Sequence, residues 1–255
     1  MSRFAVLAML LLAGCASSRT APDAILATSP MPPQPAAAAA SAPVGSTVQL
    51  WATRYRVASA DNVPDGVPFL TTSGAVLGAA EPRQWCDAAL QGTVVLLGAD
   101  GDRKTLNYAK VGPETLVDCS PYIAASRRGE SWVSALGRTR WSVTDALYGL
   151  GVSNYHLVPY RTIAVDRTVI PIGSVVHIPA ARGIAYSSDE GPQVHDGYFL
   201  AADVGGAVKG NHIDVFTGLG PHTVFPFVKS RADATFEATI VDDPAIKSRL
   251  MAMHR

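Results

Sequence analysis

The sequence is poor in charge, aromatics and cysteine. Only 16% of its 255 residues are charged, and 21 basic residues balance 21 acidic ones. A chain with zero net charge has no electrostatic footprint for nucleic acid, so no nucleic-acid partner is expected. Aromatic residues make up 7%, which leaves only modest stacking surface for sugars. The three cysteines include no Cys-x-x-Cys pair, which argues against a zinc site. There is no Walker loop, zincin helix or Gly-x-Ser-x-Gly elbow, and no repeat of solenoid length. Neither a Ser–His–Asp nor a Cys–His hydrolase signature is present. His195 and His212 lie near aspartates, but at no spacing typical of a metal site. No cofactor and no metal are therefore expected.

What is present begins with an export signal. Arg3 flanks the apolar run Phe4–Leu12, which is too short to span a bilayer comfortably. It ends in Leu12-Ala13-Gly14-Cys15. That tetrapeptide resembles a bacterial lipobox, and the resemblance implies lipidation of Cys15 after cleavage. Residue 16 is Ala, with no aspartate to suggest inner-membrane retention, so an outer-membrane lipoprotein facing the periplasm is expected. Residues 1–15 are then the signal peptide and 16–46 a disordered tether rich in Ala and Pro. About 30 such residues have a root-mean-square reach of roughly 30 Å.

The folded part, residues 47–255, is expected to open with a strand over Val48–Val57. Residues 58–158 read as an α+β insertion. Within it, Val67–Leu77 and Thr93–Leu97 look like strands, and Glu81–Leu90 and Ser142–Leu147 like short helices. Cys86 and Cys119 are the leftover cysteines of an exported chain, which favours a disulfide. A reactive thiol pair is the alternative, but nothing nearby lowers a thiol pKa.

The centre of the chain is Tyr198–Phe216. Tyr198–Ala202 leads into Asp203, Asp214 sits within Ile213–Phe216, and Gly205, Gly206 and Gly210 lie between. This reads as strand, glycine turn, strand. Upstream, Ala164-Val165-Asp166 precedes Ile170-Pro171-Ile172-Gly173. A carboxylate inside an apolar β run must find a partner, shift its pKa or face a cleft. After Phe216, Val224–Val228 and Thr235–Val241 are expected strands. Asp242-Asp243-Pro244 should cap a terminal helix, Ala245–Met253.

These aspartate runs, with Ile-Pro171-x-Gly173 and Gly-Gly-Ala-Val-Lys-Gly210, resemble the three-aspartate (3D) domain over 159–218. That domain is the double-psi β-barrel of membrane-bound lytic transglycosylase A and also occurs in other cell-wall-active lipoproteins. The resemblance implies a mainly β fold, a six-stranded double-psi β-barrel with the insertion after its first strand. It also implies a lytic transglycosylase acting on peptidoglycan glycan strands as a monomer. By the same resemblance Asp214 is the acid, with Asp203 and Asp166 supporting it. His212-Ile213-Asp214 is also similar to the His-Phe-Asp element of expansins and related endoglucanases. Thr53, Tyr55, Lys209 and His212 are candidate substrate-binding residues. Two other readings stand beside this one. Asp166 and Asp203 suit turn amides, as in a non-catalytic glycan-binding or scaffold lipoprotein. A β-glycan hydrolase would need a second carboxylate.

Overall fold

The structure is a computed structural model, and it describes residues 45–188, 191–219 and 223–255. The expected signal peptide with Cys15, and the tether up to residue 44, lie outside the described residues. The chain is mainly β. Its strands are β1 (Gly45–Asp61), β2 (Val67–Leu70), β3 (Val76–Ala80), β4 (Thr93–Leu97), β5 (Arg103–Val111), β6 (Thr139–Thr144), β7 (Thr162–Val165), β8 (Val175–His177), β9 (Ala185–Ser188), β10 (Gly191–Val194), β11 (Tyr198–Asp203), β12 (His212–Leu219) and β13 (Phe236–Val241). The helices are α1 (Pro82–Gln91), α2 (Ser131–Leu136) and α3 (Pro244–Met253). Among the described residues no helix is long and apolar enough to cross a membrane.

β1 is the spine. Residues 45–50 pair antiparallel with β13, 51–57 pair parallel with β12, and 58–61 pair parallel with β4. The remaining pairings run β12–β7, β7–β11, β11–β8 and β8–β13. Six strands thus close into a ring of hydrogen-bonded neighbours. Alternation puts Leu50, Ala52, Ile163, Val165, Phe199, Ala201, Ile213 and Val215 into one apolar cluster. Their sequence neighbours Thr53, Ala164, His212 and Asp214 face away from it. This is how short strands present aspartates without burying them in the core of the ring.

The second sheet continues from β1 through β4, β5 and β6. Helix α1 packs there, placing Trp85 and Cys86 in a cluster with Phe69 and Trp141. Pro82 starts α1, where its missing N–H loses no bond. Gly92 stops it at φ 80°, giving its N–H to Ala88. Cys86 and Cys119 form a disulfide, with Cα atoms 5.4 Å apart.

Three expected elements differ. The run Val67–Leu77 is two strands joined by a turn, because Thr71 Oγ1 accepts from the Ala75 N–H and Gly74 adopts φ 89°. The expected helix at Ser142–Leu147 is instead strand β6 and a turn, since its β-branched residues pair with β5 and Trp141 anchors the strand in the core. Val224–Val228 is not a strand. Phe225 and Phe227 both enter the ring cluster, and the Val228 N–H bonds back to the Phe225 carbonyl. Pro226, between them, has no N–H to give a ladder. The loop 179–196 contains the β9–β10 hairpin.

The C-terminal cap is as expected. Asp243 accepts from the Ala245 and Ile246 N–H groups at 2.9 and 3.1 Å. Asp196 then bridges Arg161 and Arg249, tying α3 to the ring.

Candidate active site

The site is built on the faces of β1 and β12 that turn away from the ring core. Their register aligns Trp51 with His212, Thr53 with Asp214 and Tyr55 with Phe216. Three cross-strand pairs therefore share one surface, with Asp214 in the middle. The outer pairs pack as rings. Trp51 stacks on His212 at 3.7 Å between centroids and 3° between planes, and Tyr55 meets Phe216 at 5.0 Å.

Asp203 reaches the same surface from the far side of β7. Both Asp203 and Asp214 are register partners of Ala164. Ile163 and Val165 point into the ring core, so Ala164 lies between the two aspartates with only a methyl group. A bulge between Ala201 and Asp203 aims the carboxylate there.

The two carboxyl groups have different surroundings. Asp203 Oδ2 accepts from the Tyr55 hydroxyl at 2.8 Å, and Oδ1 accepts from the Val204 N–H at 2.8 Å. Burial lifts Asp203 to about 6, while these two donors favour the anion and hold it from rising further. Asp214 has no such pair of donors. Its Oδ1 is sealed from solvent without a hydrogen-bond partner. Burial pushes Asp214 up to about 7; a hydrogen bond donated by Thr53 would pull the other way, and the Asp203 charge adds to the rise. Burial also raises the Tyr55 phenol well above its usual value, with the Asp203 charge adding to it, so Tyr55 stays a donor. Thr53 Oγ1 lies 2.8 Å from His212 Nε2, and His212 Nδ1 lies 3.3 Å from the Ala207 carbonyl oxygen.

Asp166 is not part of this group. Its Oδ1 accepts from the Thr168 N–H at 3.0 Å and the Thr168 hydroxyl at 2.7 Å. Its Oδ2 accepts from the Gly210 N–H at 2.9 Å. Gly210 has φ 62°, a conformation that suits glycine. The Thr168 and Gly210 backbone N–H groups hold Asp166 down to about 2, and Lys209 adds a small push in the same direction. Lys209 is exposed.

Sequence reasoning missed Trp51 and Ala164. Trp51 was findable, because it lies two residues before Thr53 on an alternating strand. Ala164 gives no signal until β7 is known to separate the two aspartates. A pocket of ≈ 190 Å³ lined by Arg54, Tyr55, Arg56 and Gln91 also adjoins Tyr55. A hollow of ≈ 590 Å³ lies elsewhere, lined by Asn62, Leu96 and residues of the turn between β4 and β5 such as Asp100 and Asp102. Among the described residues no group of three or more His, Cys, Asp or Glu is placed to hold a metal ion.

Residues 161–224 match the model of the 3D domain. This stretch is a 3D domain. It supplies β7 to β12, hence Asp166, Asp203, His212 and Asp214, while Thr53 and Tyr55 come from β1 outside it. A 73-residue segment is 41% identical to a membrane-bound lytic murein transglycosylase A homolog of Buchnera aphidicola subsp. Schizaphis graminum (strain Sg), covering 28% of this chain and 19% of that one. Membrane-bound lytic murein transglycosylase A of Escherichia coli (strain K12) is 34% identical over 71 residues, again 28% of this chain and 19% of that one. YabE of Bacillus subtilis (strain 168), named for cell wall shaping, is 48% identical over 56 residues, 22% of this chain and 10% of that one. The matched segment thus spans a fifth or less of each relative. A crystal structure of E. coli MltA with bound chitohexaose aligns with TM-score 0.47 and 17% identity, over 75% of this chain and 71% of that one.

Proposed function

We propose that the chain is a lytic transglycosylase-like enzyme that cleaves the MurNAc–GlcNAc bond of peptidoglycan, with Asp214 as its single acid and base. One observation carries this reading. Asp214 is a carboxyl group with a sealed, unbonded oxygen, held near pKa 7 beside a second carboxyl that is already occupied. Such a group is protonated often enough at neutral pH to give its proton away. The 3D-domain match and the names of the two murein transglycosylase relatives support the choice of substrate.

The reaction needs few parts. Asp214 donates its proton to the glycosidic oxygen as the bond to the MurNAc anomeric carbon breaks. The resulting carboxylate takes the proton of the MurNAc 6-hydroxyl, whose oxygen closes onto that carbon. A 1,6-anhydro sugar and a free GlcNAc 4-hydroxyl result, and no water is consumed. Asp203, held by Tyr55 and Val204, adds negative charge that favours the acid form of Asp214 and stabilises a positively charged sugar. Asp166 shapes the turn through Gly210. In this reading the closed ring is the double-psi β-barrel, residues 58–158 are its insertion, and Cys15 carries a lipid that holds the chain at the periplasmic face of the outer membrane.

The test is to digest purified sacculi with the full chain in mild detergent and read the fragments by mass spectrometry. Anhydromuropeptides from the parent and none from Asp214→Asn are the expected result. Reducing-end fragments would overturn the product and point to a hydrolase. A protein that pellets with sacculi but releases nothing would make it a binding module, with its aspartates serving as architecture.

A further inference from the structure

Thr53 has one hydroxyl hydrogen and two neighbours that compete for it. One is His212 Nε2, 2.8 Å from Thr53 Oγ1. The other is Asp214, paired with Thr53 in the β1–β12 register. The imidazole decides between them. His212 Nδ1 faces the Ala207 carbonyl oxygen at 3.3 Å. A carbonyl only accepts, so Nδ1 carries the hydrogen and donates. The ring is 7% exposed, is stacked under Trp51, and has its pKa lowered by burial, so it is neutral. A neutral imidazole protonated at Nδ1 has a bare lone pair at Nε2. The Thr53 hydroxyl therefore donates to His212, and only its lone pairs are left for Asp214.

We propose that His212 is a positioning residue: by taking the Thr53 hydroxyl hydrogen at Nε2, it turns Thr53 into an acceptor toward Asp214 and keeps that carboxyl group in its acid form. A hydroxyl that donates to a carboxylate stabilises the anion; one that accepts from a carboxylic acid stabilises the acid. The other groups on this surface do not oppose the effect. Tyr55 on β1 directs its hydroxyl to Asp203, Asp203 on β11 contributes negative charge, and Ala164 on β7 is apolar. The role of the relay in catalysis rests on Asp214 being the acid of the proposed reaction. The protonation of Asp214 does not, and it is measurable without substrate.

The experiment is a carbon-13 NMR titration of the Asp214 carboxyl in the full chain, assigned with Asp214→Asn. His212→Phe keeps a ring on Trp51 but removes the lone pair. His212→Gln keeps an acceptor oxygen near the Nε2 position. In His212→Phe the titration midpoint falls by about one pH unit, because Thr53 is freed to donate. In His212→Gln it stays within about 0.3 of the parent. In a Thr53→Val background His212→Phe no longer moves it. An unmoved midpoint in His212→Phe overturns the proposal, as does an equal fall in both His212 variants or a fall that persists without the Thr53 hydroxyl. If His212→Phe does not fold, Thr53→Val alone decides: a lower midpoint than the parent supports the assignment, and any other result overturns it. Failure of sacculus cleavage with these shifts intact would instead count against the proposed reaction.

Discussion

Replacing Asp214 by Asn should make the protein more stable at high pH and leave it little changed at low pH. An ordinary aspartate titrates near 3.9, whereas Asp214 is pushed up to about 7 by burial. Between these values the folded chain holds a proton that the unfolded chain has released. The carboxyl group's contribution to stability is therefore full below about pH 4 and is lost as pH rises toward 7. A gap of roughly three pH units at 1.36 kcal/mol each is about 4 kcal/mol. Part of the residue remains open to solvent, so about 2–4 kcal/mol is the working range. Asparagine does not ionise, and its cost, a buried amide with an unpaired atom, is the same at every pH. Urea unfolding of the parent and Asp214→Asn at pH 4, 6 and 8 isolates the effect, because the other titrations cancel in the difference, apart from Asp203, which is coupled to this site. The variant's relative stability should climb by about 2–4 kcal/mol from pH 4 to pH 8. A difference that stays flat, or falls with pH, would show that Asp214 titrates as an ordinary aspartate and would remove the basis for calling it an acid. The gain on losing the group would be a measure of the stability given up to keep this carboxyl buried.

Other perturbations test the neighbours. Tyr55→Phe keeps the packing on Phe216 but removes the donor to Asp203. Hydrogen bonds to charged groups contribute about 1.5–3 kcal/mol, so the Asp203 midpoint in the carboxyl NMR titration should rise by about one to two pH units. A fixed midpoint would mean that Tyr55 does not serve that carboxylate. Ala164→Val places two extra methyl groups between Asp203 and Asp214. Sacculus cleavage should drop about tenfold or more while circular dichroism is retained, with at most about 1–3 kcal/mol of overpacking cost; an unchanged rate would contradict the placement of both aspartates over Ala164. Reducing the Cys86–Cys119 bond reopens a 33-residue separation and should lower stability by about 3–4 kcal/mol in the chain-entropy model. Urea curves with and without reductant would check this, and coincident curves would refute it.

Local rules found much of this chain. Thr162–Val165 reads as a strand because a threonine and three apolar residues end at a turn-forming aspartate, and β7 has those bounds. Glu81–Leu90 reads as a helix with a proline near its start, and α1 is offset from it by one residue. The failures share a cause. Val143 and Thr144 fall in an expected helix although β-branched residues favour strands, and only the pairing with β5 decides their state. Phe225 and Phe227 look like alternate residues of a strand, but the ring interior needed filling from one side, and a turn placed both phenyl groups there.

The aspartates mark the limit of local reading. Asp166 and Asp203 each end an apolar β run before turn residues, and Asp214 sits inside such a run just after a glycine turn. Each one's chemistry is set by its burial and by the donors it meets, and some of those donors come from distant parts of the chain. Asp166 meets its own turn and the Gly210 amide 44 residues on, and is held as an anion. Asp203 meets the Tyr55 hydroxyl 148 residues upstream and stops near 6. Asp214 is left with an oxygen that no donor meets, and burial carries it up to about 7. A motif with three aspartates thus identifies where carboxyl groups stand. How each one titrates is set by what it meets there: the Thr168 and Gly210 amides within the 3D domain for Asp166, and the Tyr55 hydroxyl of β1, outside that domain, for Asp203.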